Sequence, residues 1–403
     1  VPGRTEEMSR RVIDWARSGV PVLTGFGDGP PLIPPGHAAT VADRHAARIA
    51  EATEGRVRLA GARLLSERAA YTGFTRHGMT SAGRHCRLLP TLDGWAAVSC
   101  ARPDDPILLG ALACADVRDD PWPAVADWVR SHTGAELAER AELLGVAAGP
   151  VGTVGPVETA QSTAQAATLP PRSVAGLRVV DFSALWAGPL CAHLLSLAGA
   201  RVIKVETPGR PDGARRGDSE FYRLLHAGHE SVVLDPDDDA QRDALAALVA
   251  SADIVIEASR PRALARWGLD ADRFVAAGGT WVSITAHGRE SNRIGFGDDI
   301  AACAGLVARA DDGTPLFVGD AIADPLSGLA AADLAMSRGP DGSGQLWDVD
   351  MSSVVATTLD PATQTEPAGD ALLTAPRRRP STDQAPVSGR DTAAVLAELG
   401  VAR

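Results

Sequence analysis

The chain has 403 residues, 45% hydrophobic and 22% charged, with a formal net charge of -12. That length allows about two or three domains around a large core, with the composition of an ordinary globular protein. The acidic balance excludes a broad nucleic-acid surface, which needs clustered Lys and Arg, and Lys204 is the only lysine.

The five cysteines (Cys86, Cys100, Cys114, Cys191, Cys303) form no CxxC pair, so neither a disulfide framework nor a metal site is indicated. No basic-then-apolar leader opens the sequence, and no apolar run approaches the ~18 residues of a membrane span. The cytoplasm is the expected compartment, with no membrane and no nucleic acid as partner.

In chain order, residues 18–25 (SGVPVLTG) and 28–32 (DGPPL) come first, and DGPPL returns as DGTPL at 312–316. That echo points to an internal repeat. DGWAAV at 93–98, a helical stretch near Trp122–Leu144 and GVAAGPVGTV at 145–154 follow. Residues 155–173 are rich in small and polar residues and end near a Pro pair, which reads as a linker.

Next, LRVVDFS (177–183) predicts a strand, AGPLCAHLLSLAGA a helix, and ARVIKVE (200–206) a second strand. Strand, helix and strand within about 30 residues make a βαβ unit and imply a parallel sheet. The alternation continues through SVVLD (231–235), a helix from Ala240 to Ala252, DIVIEAS (253–259) and TWVSITAHG (280–288). The fold class is therefore α/β: an open, mostly parallel, Rossmann-like sheet with helices on both faces, plus a smaller α+β domain N-terminal to it. Ligands of such sheets bind at the strands' carboxyl ends. No GxGxxG follows the first strand, so neither NAD nor flavin is expected.

These strand ends resemble the class III (CaiB/BaiF-type) CoA-transferases. The residues that carry the resemblance are Ala187-Gly188-Pro189, Val202-Ile203-Lys204-Val205-Glu206, Ala252 to Pro261 (ADIVIEASRP), Trp267-Gly268-Leu269, Asp312 to Gly319 (DGTPLFVG), Ala323 to Leu329 (ADPLSGL) and Ala394 to Gly400 (AVLAELG). DGWAAV and GVAAGPVGTV resemble the family's small domain, which here precedes the large one. The implied organisation is a partial repeat of the catalytic segment (1–60), a small domain (61–157), a linker (158–174), a large CoA-binding domain (175–360) and a tail with a closing helix (361–403). The permuted order leaves the family's interlocked homodimer an open expectation.

The resemblance implies CoA and acyl-CoA as substrates, a small carboxylic acid as partner, and no metal. Its catalytic aspartate falls on Asp324; the same count from Asp28 lands on Thr40. A carboxylate there attacks a thioester, passing through an aspartyl anhydride and an aspartyl-CoA thioester. Asp324 is expected just before a helix, with Pro325 at its first position and helix N–H groups favouring the charged form. Plain helix capping is the competing role.

The segment from Gly295 to Ile300 supplies Phe296 and either Asp298 or Asp299 as an assisting acid, or as a cap, although a gapless count puts Gly297 at the acid's place. CoA binding falls by analogy on Ala187, Ser259, Arg260 and Arg266. Trp186 either stacks on adenine, narrows the acyl pocket or packs in the core. The family's basic loop is His226-Ala227-Gly228-His229-Glu230-Ser231 here, which removes a cation. A racemase, isomerase or lyase on the same scaffold is the alternative, weakened because no His stands at 295–300 and His287 lies upstream. A catalytically silent CoA-binding protein is the third reading.

Overall fold

The computed structural model describes residues 2–117, 119–152, 169–259, 261–339, 343–369, 371–381 and 383–400. Most of the expected linker, and Arg260, lie outside the described residues.

Six parallel strands form the main sheet: β1 Arg178–Asp181, β2 Arg201–Glu206, β3 Glu230–Val233, β4 Ile254–Glu257, β5 Thr280–Thr285 and β6 Gln345–Asp350, in the order β6-β5-β4-β1-β2-β3. Val179, Val180, Ile254, Val255, Ile256 and Val282 are wholly buried. Such apolar runs without polar alternation are what a sheet covered on both faces demands. The strand order reverses between β1 and β4, and the crevice beyond their carboxyl ends is where doubly wound sheets hold ligands.

The N-terminal segment completes this domain. The helix Ala38–Ala52 packs on the helix Ala323–Ala335, where His45 Nδ1 and Arg48 Nε approach the Asp333 carboxylate at 2.9 and 2.8 Å. Leu32–Ile33 pairs antiparallel with Glu366–Pro367, and Trp15, Val20, Ile33, Ile49 and Leu65 share one core with Val179, Leu190 and Leu329. The short helices Gly61–Leu64 and Glu67–Thr72 lie on this side of the molecule, with Leu64 and Leu65 in the same core.

The smaller unit is a three-stranded antiparallel sheet (Cys86–Pro90, Trp95–Ser99, Ala148–Pro150) covered by the helices Asp105–Leu112, Trp122–Arg130 and Gly134–Leu144. Its other face carries Cys86, Leu88 and Ala97, which pack on Ala302, Val307 and Phe317. That apolar seam fixes the cleft between the two units. Among the described residues no helix is long and apolar enough to cross a membrane.

Candidate active site

The turn after β1 runs from Ser183 to Trp186 into the helix Ala187–Leu197. Leu185 has φ 70°, a conformation that costs a residue with a Cβ on the order of 1–3 kcal/mol. A buried charge cluster holds it there. Lys204 Nζ donates to Ser183 O at 2.7 Å and meets the Asp212 carboxylate at 3.0 Å, while Asp212 Oδ1 accepts the Leu185 and Ala214 N–H groups. Burial pulls the Lys204 ammonium down, but Asp181 and Asp212 outweigh burial and hold it above its ordinary value. The family-like VIKVE run thus serves the turn from beneath.

The helix Ala323–Ala335 lies against Ala187–Leu197 where Gly328 meets the Ala187 carbonyl and Leu190; a Cβ there would come within 2.6 Å of Ala187 O. Asp324 stands one turn before Gly328, on the same helix face. It is the second residue of the helix, behind Ile322 at the cap position, and not the residue before the helix. The expectation about its charge is also corrected. Burial, opposed by Arg68 and by the Gly297 N–H and aided by Asp298 and Asp320, pushes its carboxyl up to about 7. Taking a carboxylate out of water outweighs the helix terminus.

Gly297 lies against this carboxylate. A Cβ at that position would overlap Asp324 Oδ2 and the Ala321 carbonyl. The residue that the gapless count set at the acid's place is therefore the backbone donor to the acid, and only glycine fits.

Asp298 and Asp299, the second and third residues of the helix Gly297–Ala304, diverge. Asp298 Oδ1 accepts the Ala321 N–H at 2.8 Å, and the side chain faces the same cavity as Asp324. Burial and Asp320, opposed by Arg68, raise it to about 6. Asp299 points away: it accepts from Ser99 Oγ at 2.6 Å and from the Phe296 N–H at 3.0 Å, a capping and domain-joining role. Ala321, between Gly319 and the helix, has φ 44°, a second strained residue at the cavity.

Two adjoining cavities share Arg102 and Phe296 in their walls. The first, of about 450 Å³, has Asp298, Asp324, Trp186, Phe221 and Leu185 on one side. Arg68, Phe74, His85 and Pro103, from the N-terminal half, form the other. Arg68 donates to both oxygens of the buried Asp320, at 2.9 and 2.5 Å, and lies 4.8 Å above the Trp186 ring. Trp186 is 2% exposed and meets Phe221 edge-on at 5.4 Å, so it narrows this cavity.

The second cavity, of about 520 Å³, lies at the ends of β4 and β5 and is lined by Arg102, Arg210, Arg266 and Arg293 with Ser259. The Ser259 hydroxyl is buried without a hydrogen-bond partner among the described residues. A ligand with phosphates and hydroxyls suits that chemistry. Ala187 is buried at the head of its helix and lines neither cavity.

His226 and His229 are also packed away; burial lowers the first well below its ordinary value and the second to about 3. His287 lines neither cavity, and burial beside Arg293 lowers it to about 4. Sequence reasoning missed Arg68 and Asp212, which come from a short helix and a loop with no family motif around them, and Asp320, which stands in the gap between DGTPLFVG and ADPLSGL.

The family model for CoA-transferase family III matches residues 174–390, just over half of the chain. The chain belongs to CoA-transferase family III. It is 29% identical over 211 residues to a succinyl-CoA–D-citramalate CoA-transferase of Chloroflexus aurantiacus, covering 47% of this chain and 52% of that one. A formyl-CoA:oxalate CoA-transferase of Rhodopseudomonas palustris is 30% identical over 181 residues, 40% of this chain and 41% of the relative. Among solved structures, a CaiB/BaiF family protein from Brucella suis is 27% identical with a TM-score of 0.42, covering 47% of this chain and 55% of that one. The chain thus spans about half the length of the curated family members it matches.

Proposed function

We propose that the chain transfers CoA from an acyl-CoA to a carboxylic acid, with Asp324 as the nucleophile. The observation that carries this reading is geometric: the Asp324 carboxylate, raised to about 7, faces a cavity at the turn after β1 that adjoins an arginine-lined cleft at the ends of β4 and β5. Near neutral pH a substantial fraction of such a group is ionised, and desolvation leaves it more reactive than a carboxylate in water.

An Asp324 oxygen adds to the thioester carbonyl, the C–S bond breaks, and CoA leaves as thiolate with the electron pair. The thiolate then attacks the Asp324 carbonyl of the anhydride and expels the first carboxylate. The acceptor carboxylate attacks the resulting aspartyl thioester, and the thiolate released takes the acceptor's carbonyl, restoring Asp324. The Gly297 N–H holds the reacting oxygen. Asp298 is a positioning residue, through the Ala321 N–H that anchors the turn before Asp324.

CoA is proposed to lie with its phosphates toward Arg266, Arg210 and Arg293 and its hydroxyls near Ser259, the thioester reaching past Phe296 to Asp324. The relatives' names specify formyl, oxalate, succinyl and citramalate as the groups those proteins handle. We propose a homodimer in the cytoplasm; unpaired cysteines, including the exposed Cys114, fit a reducing compartment.

Asp324→Ala tests the reading: CoA exchange between an acyl-CoA and its labelled free acid should vanish while CoA still binds by calorimetry. Exchange at the wild-type rate in that variant refutes it.

A further inference from the structure

Resting on the transferase reading, we infer that the acyl group this site accepts is uncharged and apolar, a branched aliphatic or arylalkanoic chain, and not the acyl group of a dicarboxylic acid. The first cavity is walled chiefly by Phe74, Pro103, Leu185, Trp186, Phe221 and Phe296. Its volume of about 450 Å³ sits inside the ~300–1,000 Å³ range of small-molecule sites, with room well beyond a one-carbon acyl group.

The charges decide against a second carboxylate. The acids at the cavity are Asp298, Asp324 and Asp218, the last capping the helix Ser219–His226, with the wholly buried Asp320 beside them. The cations are Arg68, Arg102 and Arg216. Arg68 already spends its fork on Asp320. Arg102 donates to Asp105 Oδ1 at 2.8 and 2.6 Å and to the Gly145 carbonyl at 2.7 Å. Arg216 is exposed, on the solvent side. A carboxylate carried inward on an acyl chain would be desolvated opposite like charges, with no buried cation left to receive it. An apolar chain instead gains contact with the aromatic walls.

The test is self-exchange, in which one acyl-CoA is mixed with its own ¹³C-labelled free acid and the label entering the thioester is measured by mass spectrometry. Isovaleryl-CoA with isovalerate and phenylacetyl-CoA with phenylacetate are compared with succinyl-CoA and succinate, using the wild-type chain. Apolar pairs should exceed the succinyl pair in kcat/KM by about 100-fold or more, as expected for a site that leaves a buried charge unpaired. A succinyl pair that matches or exceeds the apolar ones overturns the inference and leaves the transferase reading intact. Silence from all three pairs, with CoA still bound, overturns both.

A Phe74→Arg variant, which puts a cation on a loop at the wall, should narrow the ratio at least tenfold by raising succinyl exchange. An unchanged ratio in a variant that still exchanges the apolar pairs counts against the charge argument.

Discussion

In an Asp324→Asn variant the carboxylate is exchanged for an amide of the same shape that can still accept the Gly297 N–H. The wild-type carboxyl is raised from 3.8 to about 7, chiefly by burial. Its folded-state value lies above its unfolded one, so the folded chain holds the proton more tightly. Stability is unaffected below about pH 4, falls as pH rises toward 7, and is steady above that.

At about 1.36 kcal/mol per pH unit, the charge costs on the order of 4 kcal/mol at pH 8 and on the order of 1–2 kcal/mol at pH 5. The amide escapes this, and Asp298, relieved of a like charge, ionises more easily. Equilibrium urea unfolding should show the Asp324→Asn variant gaining over wild type by about 2–3 kcal/mol more at pH 8 than at pH 5, with exchange activity lost. A gain that is equal at both pH values, or a loss at pH 8, refutes the claim that the fold strains this carboxylate.

Three further outcomes follow. The rate of CoA thiolate release in single-turnover mixing should rise about tenfold per pH unit below pH 6 and level off above about 7, with Asp298 and Asp324 titrating as a pair; a flat profile from pH 5 to 8 contradicts this. Gly297→Ala should cut kcat about 100-fold by displacing Asp324 while the CoA dissociation constant changes little, as steady-state kinetics and calorimetry would show. Lys204→Met should destabilise the fold by about 3–5 kcal/mol by leaving Asp181 and Asp212 buried without their cation, read from the urea midpoint.

The parallel sheet was legible because each strand is an apolar run closed by a turn, and the motif order placed Asp324 and Ser259 at the right end of it. What the sequence hid depends on contacts far apart in the chain. Arg68 meets Asp320 across 252 residues, and His45 meets Asp333 across 288. Periodicity says nothing of such pairs.

The charge on Asp324 was misjudged for a related reason. A helix terminus can be read locally, whereas the burial that desolvates the carboxyl and the neighbouring acids Asp298 and Asp320 that repel its charge are assembled by the fold. Gly297 shows the same gap. Its spacing in the motif was visible, but that its missing side chain makes room for Asp324 is a fact of three dimensions.

The central claim is tested most directly by trapping the covalent state. After mixing with isovaleryl-CoA, borohydride reduction and proteolysis, mass spectrometry should find Asp324 converted to homoserine, the product of a reduced aspartyl thioester. Turnover with an unmodified Asp324 peptide, or reduction at another carboxylate, would contradict the account.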